Sequence, residues 1–185
     1  AYVDLYLIPW PVPTKFAQPL AAYRALEGLP ADGLVRAIGV SNFTPAHLDA
    51  LMEHTNIVPA VNQIELHPFL TQEKLRKTHA KLGIVSQAWS PIGGALRYSD
   101  NLPETARDPL KHPTIIKLSE KYDKSPAQVI LRWHIEHGIG IIPKTVNPDR
   151  VKENFDLFDF SLSDEDLSTI DSDRKSTRLN SSHYS

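Results

Sequence analysis

Five short apolar segments, alternating with stretches of helical spacing, constrain the fold of this chain more than any other feature of its sequence. Such segments are typical of buried parallel strands. We predict strands at residues 3–8, 37–40, 58–66, 84–89 and 138–143. We predict helices at residues 20–29, 45–52, 71–82, 113–122, 125–137 and 148–157. The alternation predicts an α/β fold with a parallel sheet and helical crossovers.

Two parallel architectures fit this alternation, an open doubly wound sheet and a (β/α)8 barrel. A dinucleotide-binding open sheet normally shows G-x-G-x-x-G after a strand, and the nearest pair, Gly93-Gly94, lacks the rest of that motif. Side chains with polar groups instead lie at or just past the ends of several predicted strands, which is typical of the barrel. These residues are Ser41, Asn42, Gln63, Trp89, Ser90, Lys144 and Thr145.

The composition excludes several classes of protein. The chain has no cysteine, which rules out disulfide scaffolds, thiolate zinc sites and cysteine nucleophiles. Its net charge of -2 gives no indication of a nucleic-acid partner or an anionic membrane surface. No apolar run approaches the roughly 18 residues of a membrane span, and no signal peptide is visible. We therefore expect a cytoplasmic protein with neither kind of partner.

The segment after the last predicted strand has the features of a phosphate site. Lys144 follows the strand, and Asn147-Pro148 has the pattern of an N-cap and a first helical residue. Arg150 and Asn154 are one helical turn apart and share a helix face. A helix N-terminus with adjacent Lys and Arg side chains favours a phosphate. An ordinary capped helix with solvated charges explains the same residues, so the pattern by itself leaves both interpretations open.

A metal site is not predicted. His134 and His137 are three residues apart on a predicted helix, but no third ligand is evident. We interpret them as surface histidines. The acidic residues Asp164, Glu165 and Asp166 predict the first turn of a short helix capped by Ser163.

Five segments of this chain resemble the aldo-keto reductases in order and spacing. They are VDLYLIPWPVP, VRAIGVSNF, VNQIELHPFL, AQVILRW and IIPKTVNPDRVKEN, and they lie between residues 3 and 154. The resemblance extends over residues 1–171. Trp89 and the sequence Lys144-Thr145-Val146 resemble most the bacterial diketogluconate reductase branch. The resemblance implies part of a (β/α)8 TIM barrel, about strands four to eight. Because Ala1 is not Met and opens directly into a strand, we expect a chain truncated at its N-terminus.

The resemblance also implies an NADP site. Lys144, Thr145 and Arg150 would hold the 2′-phosphate of NADP. The hydroxyl and amides of Ser41, Asn42 and Gln63 would satisfy the nicotinamide carboxamide, and the face of Trp89 would stack on the nicotinamide ring. Without the family, Ser41-Asn42 fits a turn before a helix and Trp89 fits a core residue. The remaining residues that the resemblance places in this site are Ser90 beside Trp89, and Glu153 and Asn154 on the adenine.

The catalytic residues of the family are expected to be missing. The family uses a tyrosine acid, a lysine, an aspartate and a histidine that orients the carbonyl. The resemblance places the first three before Ala1, and Pro9 occupies the histidine position. Proline has no titratable group and no polar side-chain atom. Two interpretations of Pro9 remain open, a genuine substitution and a reading error, since one base change converts a His codon to a Pro codon.

The end of the chain differs from the family. Residues 173–183 read DRKSTRLNSSH, which matches one translated frame of a common sequencing adapter. We therefore predict that residues 1–171 form the reductase part and residues 172–185 a non-native tail. A natural disordered basic tail is the alternative.

These observations predict an oxidoreductase. The parent protein would reduce small carbonyl substrates, aldehydes or ketones including keto-sugars, with hydride from NADPH, and it would be monomeric. The chain as written would be inactive. The alternative is a catalytically silent NADP-binding module related to channel β-subunits.

Overall fold

The computed structural model describes residues 1–11, 16–94 and 108–173 and shows an α/β fold. The strands are β1 (Val3–Ile8), β2 (Val35–Ser41), β3 (Val61–Glu65), β4 (Val85–Trp89) and β5 (Gly140–Ile141). The helices are α1 (Ala17–Leu26), α2 (Pro45–Met52), α3 (Glu73–Leu82), α4 (Pro113–Tyr122), α5 (Pro126–Glu136), α6 (Pro148–Phe155) and α7 (Asp164–Asp173). A 3-10 turn, Pro109–Lys111, precedes α4.

The five strands form one parallel sheet in the order β1-β2-β3-β4-β5, and the sheet is not closed. This confirms the predicted partial barrel. No helix in the described ranges is both long and apolar enough to cross a membrane. The predicted tail lies outside the described residues from residue 174 onward.

Several local predictions need correction. The strand predicted at residues 58–66 is confined to Val61–Glu65, and the last strand to Gly140–Ile141. The helix predicted at residues 71–82 begins at Glu73, after a left-handed Gln72 whose side chain makes no cap bond. The segment 3–8 pairs in parallel as expected, but of its six residues only Ile8 is buried, and Val3 is 51% exposed.

By its internal contacts the chain divides into two compact units, which we describe separately. Unit 1 contains residues 1–64 and 72–87. Here β1 pairs with β2 from Val3↔Val35 to Ile8↔Val40, and β2 pairs with β3 at Val40↔Asn62 and Ser41↔Gln63. Its most deeply buried side chains are Tyr23, Ile38, Val40, Phe43, Leu48, Leu51 and Ile64.

Gly39 sets the spacing between β2 and β3. A Cβ at this position would lie 2.6 Å from the carbonyl oxygen of Val61 and 2.8 Å from Cδ2 of Leu7. Both distances are far below van der Waals contact, and the Val61 oxygen belongs to the backbone of a paired strand. Only glycine therefore allows this approach of the strands.

Unit 2 contains residues 65–71 and 88–185. Its residues 95–107 and 174–185 lie outside the part of the chain that the structure describes. Helix α5 is its centre, with Val129, Ile130, Leu131 and Trp133 fully buried. Ser125 begins α5 with a capping box. The Ser125 hydroxyl accepts from the Gln128 backbone N–H, and the Gln128 side-chain oxygen accepts from the Ser125 backbone N–H.

His134 on α5 has structural partners. His134 is fully buried, so its interpretation as a surface histidine is wrong. Its ring nitrogens face the carbonyl oxygens of Ile130 and Leu66 at 2.8 and 3.1 Å. Burial lowers the pKa of His134 to about 4. Among the described residues, no cluster of three or more potential ligands surrounds a metal site.

A buried carboxylate, Asp166, fixes the start of α7. Its Oδ2 accepts hydrogen bonds from Lys121 Nζ at 2.7 Å, from the Tyr122 hydroxyl at 2.5 Å and from the Ser163 hydroxyl at 2.7 Å. Burial by itself raises the pKa of Asp166, but the three hydrogen bonds outweigh it and hold the pKa at about 2. The predicted helix after Ser163 is thus confirmed, and Ser163 also accepts from the Asp166 backbone N–H.

We expect Gly39→Ala to lower the free energy of unfolding by about 1–3 kcal/mol, because the new methyl group overlaps the Val61 backbone. Gly28→Ala is the matched control: no atom lies within 4 Å of the added Cβ, so its effect should stay within about 0.5 kcal/mol. Urea unfolding of both variants measures the difference. Equal effects would show that the strands tolerate a side chain at Gly39.

We expect Asp166→Asn to lower the free energy of unfolding by about 1.5–3 kcal/mol at neutral pH, because it removes a charged acceptor of three hydrogen bonds. A carboxyl with a depressed pKa stabilises the fold above its unfolded pKa. The difference between the two proteins should therefore vanish as pH falls from about 3.8 to about 2.

Asp164→Asn is the control for this experiment, since Asp164 is exposed in the first turn of the same helix. Asp164→Asn should lower the free energy of unfolding less, by about 0.3–1 kcal/mol, because it removes only the interaction of the carboxylate with the helix dipole. A difference between Asp166→Asn and the unmodified chain that persists unchanged at pH 2 would contradict the role of the Asp166 charge.

Candidate cofactor site

The carboxyl end of β2 brings three of the predicted site residues together. Ser41 ends the strand, and its hydroxyl donates to the backbone oxygen of Gln63 at 2.8 Å. Asn42 donates to the same oxygen through its backbone N–H at 2.9 Å, and its Nδ2 donates to Ser41 Oγ at 3.1 Å. Asn42 has a φ of 60°, a left-handed conformation that asparagine tolerates better than most residues. The local geometry therefore depends on the residue types that the sequence singled out.

Asn62 anchors this turn and was missed in the sequence. Its Oδ1 accepts from the Phe43 backbone N–H at 3.3 Å, and its Nδ2 donates to the Phe43 oxygen at 2.8 Å. Asn62 is one of three polar residues of β3, with Gln63 and Glu65, so its residue type did not distinguish it, and its partner lies nineteen residues away. The fully buried amide holds the backbone that follows Ser41 and Asn42.

The same amide continues into a buried histidine. Asn62 Nδ2 also lies 2.9 Å from His79 Nε2, so this ring nitrogen accepts. The hydrogen of the ring is then on Nδ1, which lies 2.7 Å from Ser86 Oγ. Burial lowers the pKa of His79 to about 4, which keeps the ring neutral at neutral pH. The network links β3, α3 and β4 within unit 1.

Gln63 presents its side chain on the other face of β3 from Asn62. Its Nε2 donates to Oε1 of Gln87 on β4 at 2.7 Å, and both side chains are half-buried. Gln87 was not among the predicted site residues. Alternation along the strand offered a weak signal for it, since Gln87 is two residues before Trp89.

Trp89 ends β4, and Ser90 directly follows it. Both are half-buried, so Trp89 is not the fully enclosed core residue that the sequence allowed as an alternative. Ser90 has a φ of 53°, and its oxygen accepts from the Gly93 backbone N–H at 2.8 Å. The chain thus turns sharply at the end of this strand.

The start of α6 has the predicted cap. Asn147 Oδ1 accepts from the backbone N–H groups of Asp149 at 2.8 Å and Arg150 at 3.4 Å. Thr145 Oγ1 accepts from the Asn147 backbone N–H at 3.1 Å. The side chains of Lys144 and Arg150 are exposed, and neither has an ion-pair partner within the described ranges. The N-terminus of a helix favours an anion, and nearby cations add to this preference.

A cavity of about 310 Å³ lies beside this helix in unit 2. It is mostly apolar, and Thr145 and Asn154 supply its polar groups. Glu153 is half-buried and is not among the residues that line it. The lining residues are Ile135, Ile141, Pro143, Thr145, Val151, Asn154, Phe155, Leu157 and Phe158.

The hydrogen bonds of these residues fall into two separate sets. Ser41, Asn42 and Gln63 contact one another in unit 1, and Thr145, Asn147 and Arg150 are linked through the α6 cap in unit 2. Pro9 directly follows β1 and is exposed. It offers no group that donates or accepts a proton.

Comparison with known proteins gives a consistent result. An aldo-keto reductase of Mycobacterium sp. (strain JLS) is 49% identical over 179 residues, which is 96% of this chain and 60% of the relative. The glyoxal reductase of Bacillus subtilis (strain 168) is 45% identical over 179 residues, 96% of this chain and 59% of the relative. The chain thus spans about 60% of the length of these relatives.

A solved structure of a Gox0644 mutant in complex with NADPH superimposes with a TM-score of 0.82. It is 42% identical and covers 92% of this chain, which in turn covers 58% of that protein. The sequence profile of the Aldo/keto reductase family matches residues 1–174. From its sheet, its strand-end residues and these matches, the chain belongs to the aldo/keto reductase family.

Proposed function

We propose that this chain is the NADP-binding part of a carbonyl reductase. The observation that supports this most directly is the pair of unpaired cations, Lys144 and Arg150, at the N-terminus of α6. NADP differs from NAD by one 2′-phosphate, and a guanidinium binds phosphate through parallel charge-assisted hydrogen bonds. The Thr145 hydroxyl lies in the same turn and adds a neutral donor. The Gox0644 mutant with NADPH gives independent support.

The adenine is proposed to occupy the neighbouring cavity. Its flat ring needs apolar walls and a few polar groups, and the cavity has both, with Asn154 among its lining residues. An amide donates and accepts, as the edge of adenine requires. Glu153 is one residue from Asn154 and half-buried, which supports its proposed contact at the rim.

The nicotinamide is proposed to bind at Ser41, Asn42 and Gln63, with Trp89 stacked on the ring and Ser90 beside it. The hydrogen bonds among the first three support this, because they fix hydroxyl and amide groups at the end of a parallel strand. Trp89 also ends a strand, Ser90 directly follows it, and both are half-buried.

Bound NADPH supplies a hydride to a carbonyl carbon, and the carbonyl oxygen then needs a proton. In this chain no group at position 9 can orient the carbonyl or donate that proton, because Pro9 has no polar side-chain atom. We propose that the other catalytic groups belong to a part of the whole protein not included in residues 1–171. The residues 172–185 are proposed to be foreign to it.

We also propose a family branch, a substrate class, a location and an oligomeric state for the whole protein. Trp89 and the sequence Lys144-Thr145-Val146 support the diketogluconate reductase branch, and the glyoxal reductase relative supports small dicarbonyl substrates. A cytoplasmic, monomeric parent is proposed on the resemblance alone. A longer reading frame with Tyr, Lys and Asp before Ala1 and His at position 9 would support the reductase. Its absence would favour a silent NADP-binding module.

We expect Arg150→Ala to weaken NADPH binding by roughly ten- to a hundredfold, since charge-assisted hydrogen bonds contribute about 1.5–3 kcal/mol. NADH binding should not change, because NADH lacks the 2′-phosphate. Lys152→Ala, an exposed cation on the same helix, is the matched control. Fluorescence titration of each protein with NADPH and with NADH measures the two dissociation constants. Equal weakening of NADPH and NADH by Arg150→Ala would contradict the phosphate assignment.

We expect this chain to show no NADPH oxidation with glyoxal above the uncatalysed background, since general acid catalysis typically contributes about 10²–10⁴-fold and its acid is lacking. Pro9→His by itself should not restore turnover. The Bacillus subtilis glyoxal reductase serves as the positive control. Turnover by the chain at a rate near that of the control would show that its catalytic groups lie within residues 1–171.

A further inference from the structure

We propose that Gln87 is a positioning residue that fixes the amide orientation of Gln63 in the cofactor site. This inference rests on the proposed function, since it concerns how Gln63 meets the nicotinamide. The primary observation is the 2.7 Å hydrogen bond from Gln63 Nε2 to Gln87 Oε1, between neighbouring strands of unit 1.

The orientation of Gln63 decides which group it offers. Its amide has a donor end and an acceptor end on the same carbon. With Nε2 bound to Gln87, the acceptor Oε1 has no partner among the described residues. A nicotinamide carboxamide has an NH2 group that needs such an acceptor. If the Gln63 amide were reversed, its NH2 would face that NH2 group and the contact would be lost.

The strands hold the two glutamines in place from their other face. Asn62 and Ser86, the residues just before Gln63 and Gln87, both bond to the buried His79. Since successive side chains alternate between the faces of a strand, this network fixes the register and leaves Gln63 and Gln87 side by side on the opposite face. The backbone of Gln63 is fixed further by the Ser41 hydroxyl.

Substitutions at position 87 test separately whether Gln63 needs a hydrogen-bond acceptor or a donor there. Gln87→Met keeps a similar shape and removes both groups, so Gln63 loses its fixed orientation. Gln87→Glu is an acceptor only and should preserve the orientation. Gln87→Lys is a donor only and should reverse it. Gln18→Met, an exposed glutamine on α1, is the matched control.

The test is titration of the full chain with NADPH and with adenosine 2′,5′-bisphosphate, which has the adenine and 2′-phosphate but no nicotinamide. We expect Gln87→Met and Gln87→Lys to raise the Kd for NADPH about three- to tenfold. Gln87→Glu and Gln18→Met should leave it within about twofold. The Kd for adenosine 2′,5′-bisphosphate should be the same in all variants.

Each contrary outcome has a distinct meaning. If neither ligand binds the unmodified chain, the proposed function fails and the role of Gln87 with it. If both bind but Gln87→Met leaves the NADPH Kd unchanged, only the role of Gln87 is overturned. The role of Gln87 is also overturned if Gln87→Glu weakens NADPH binding as much as Gln87→Met does. It is overturned as well if Gln87→Met weakens the binding of adenosine 2′,5′-bisphosphate as much as that of NADPH. If Gln87→Met does not fold, the contrast between Gln87→Glu and Gln87→Lys decides.

Discussion

The pair of hydrogen bonds between the Asn62 side chain and the Phe43 backbone is the constraint on which unit 1 depends. A buried amide without partners costs free energy, and this one has every group satisfied by Phe43 and His79. Because Asn62 is on β3 and Phe43 follows β2, the two bonds join the sheet to the turn that bears Ser41 and Asn42. The turn that presents the candidate site is therefore fixed by a residue that no ligand needs to touch.

The alternation of side chains along β3 and β4 separates structural from functional roles. One face holds Asn62 and Ser86 around the neutral His79. The other face holds Gln63 and Gln87, which are half-buried and hydrogen-bonded to each other. A shift of register by one residue would exchange the two faces. Gly39 helps to prevent such a shift, since only a residue without Cβ fits against Val61.

Unit 2 contains charges in two opposite situations. Asp166 is buried and bonded to Lys121, Tyr122 and Ser163, so its charge stabilises the start of α7. Lys144 and Arg150 are exposed beside the N-terminus of α6 and have no carboxylate partner among the described residues. A charge whose partners are all supplied by the fold serves stability. Cations beside a helix N-terminus, where the helix dipole already favours anions, support the proposed phosphate site.

The sequence by itself determined the α/β alternation, the parallel sheet and the caps at Ser163 and Asn147. These follow from local rules, since apolar periodicity and capping need only neighbours in the chain. The tertiary structure alone decided that His134 is buried against Leu66, that β1 is exposed, and that Asn62 and Gln87 support Ser41, Asn42 and Gln63. Those facts depend on pairs of residues far apart in sequence, and strand packing rather than local pattern brings such pairs into contact.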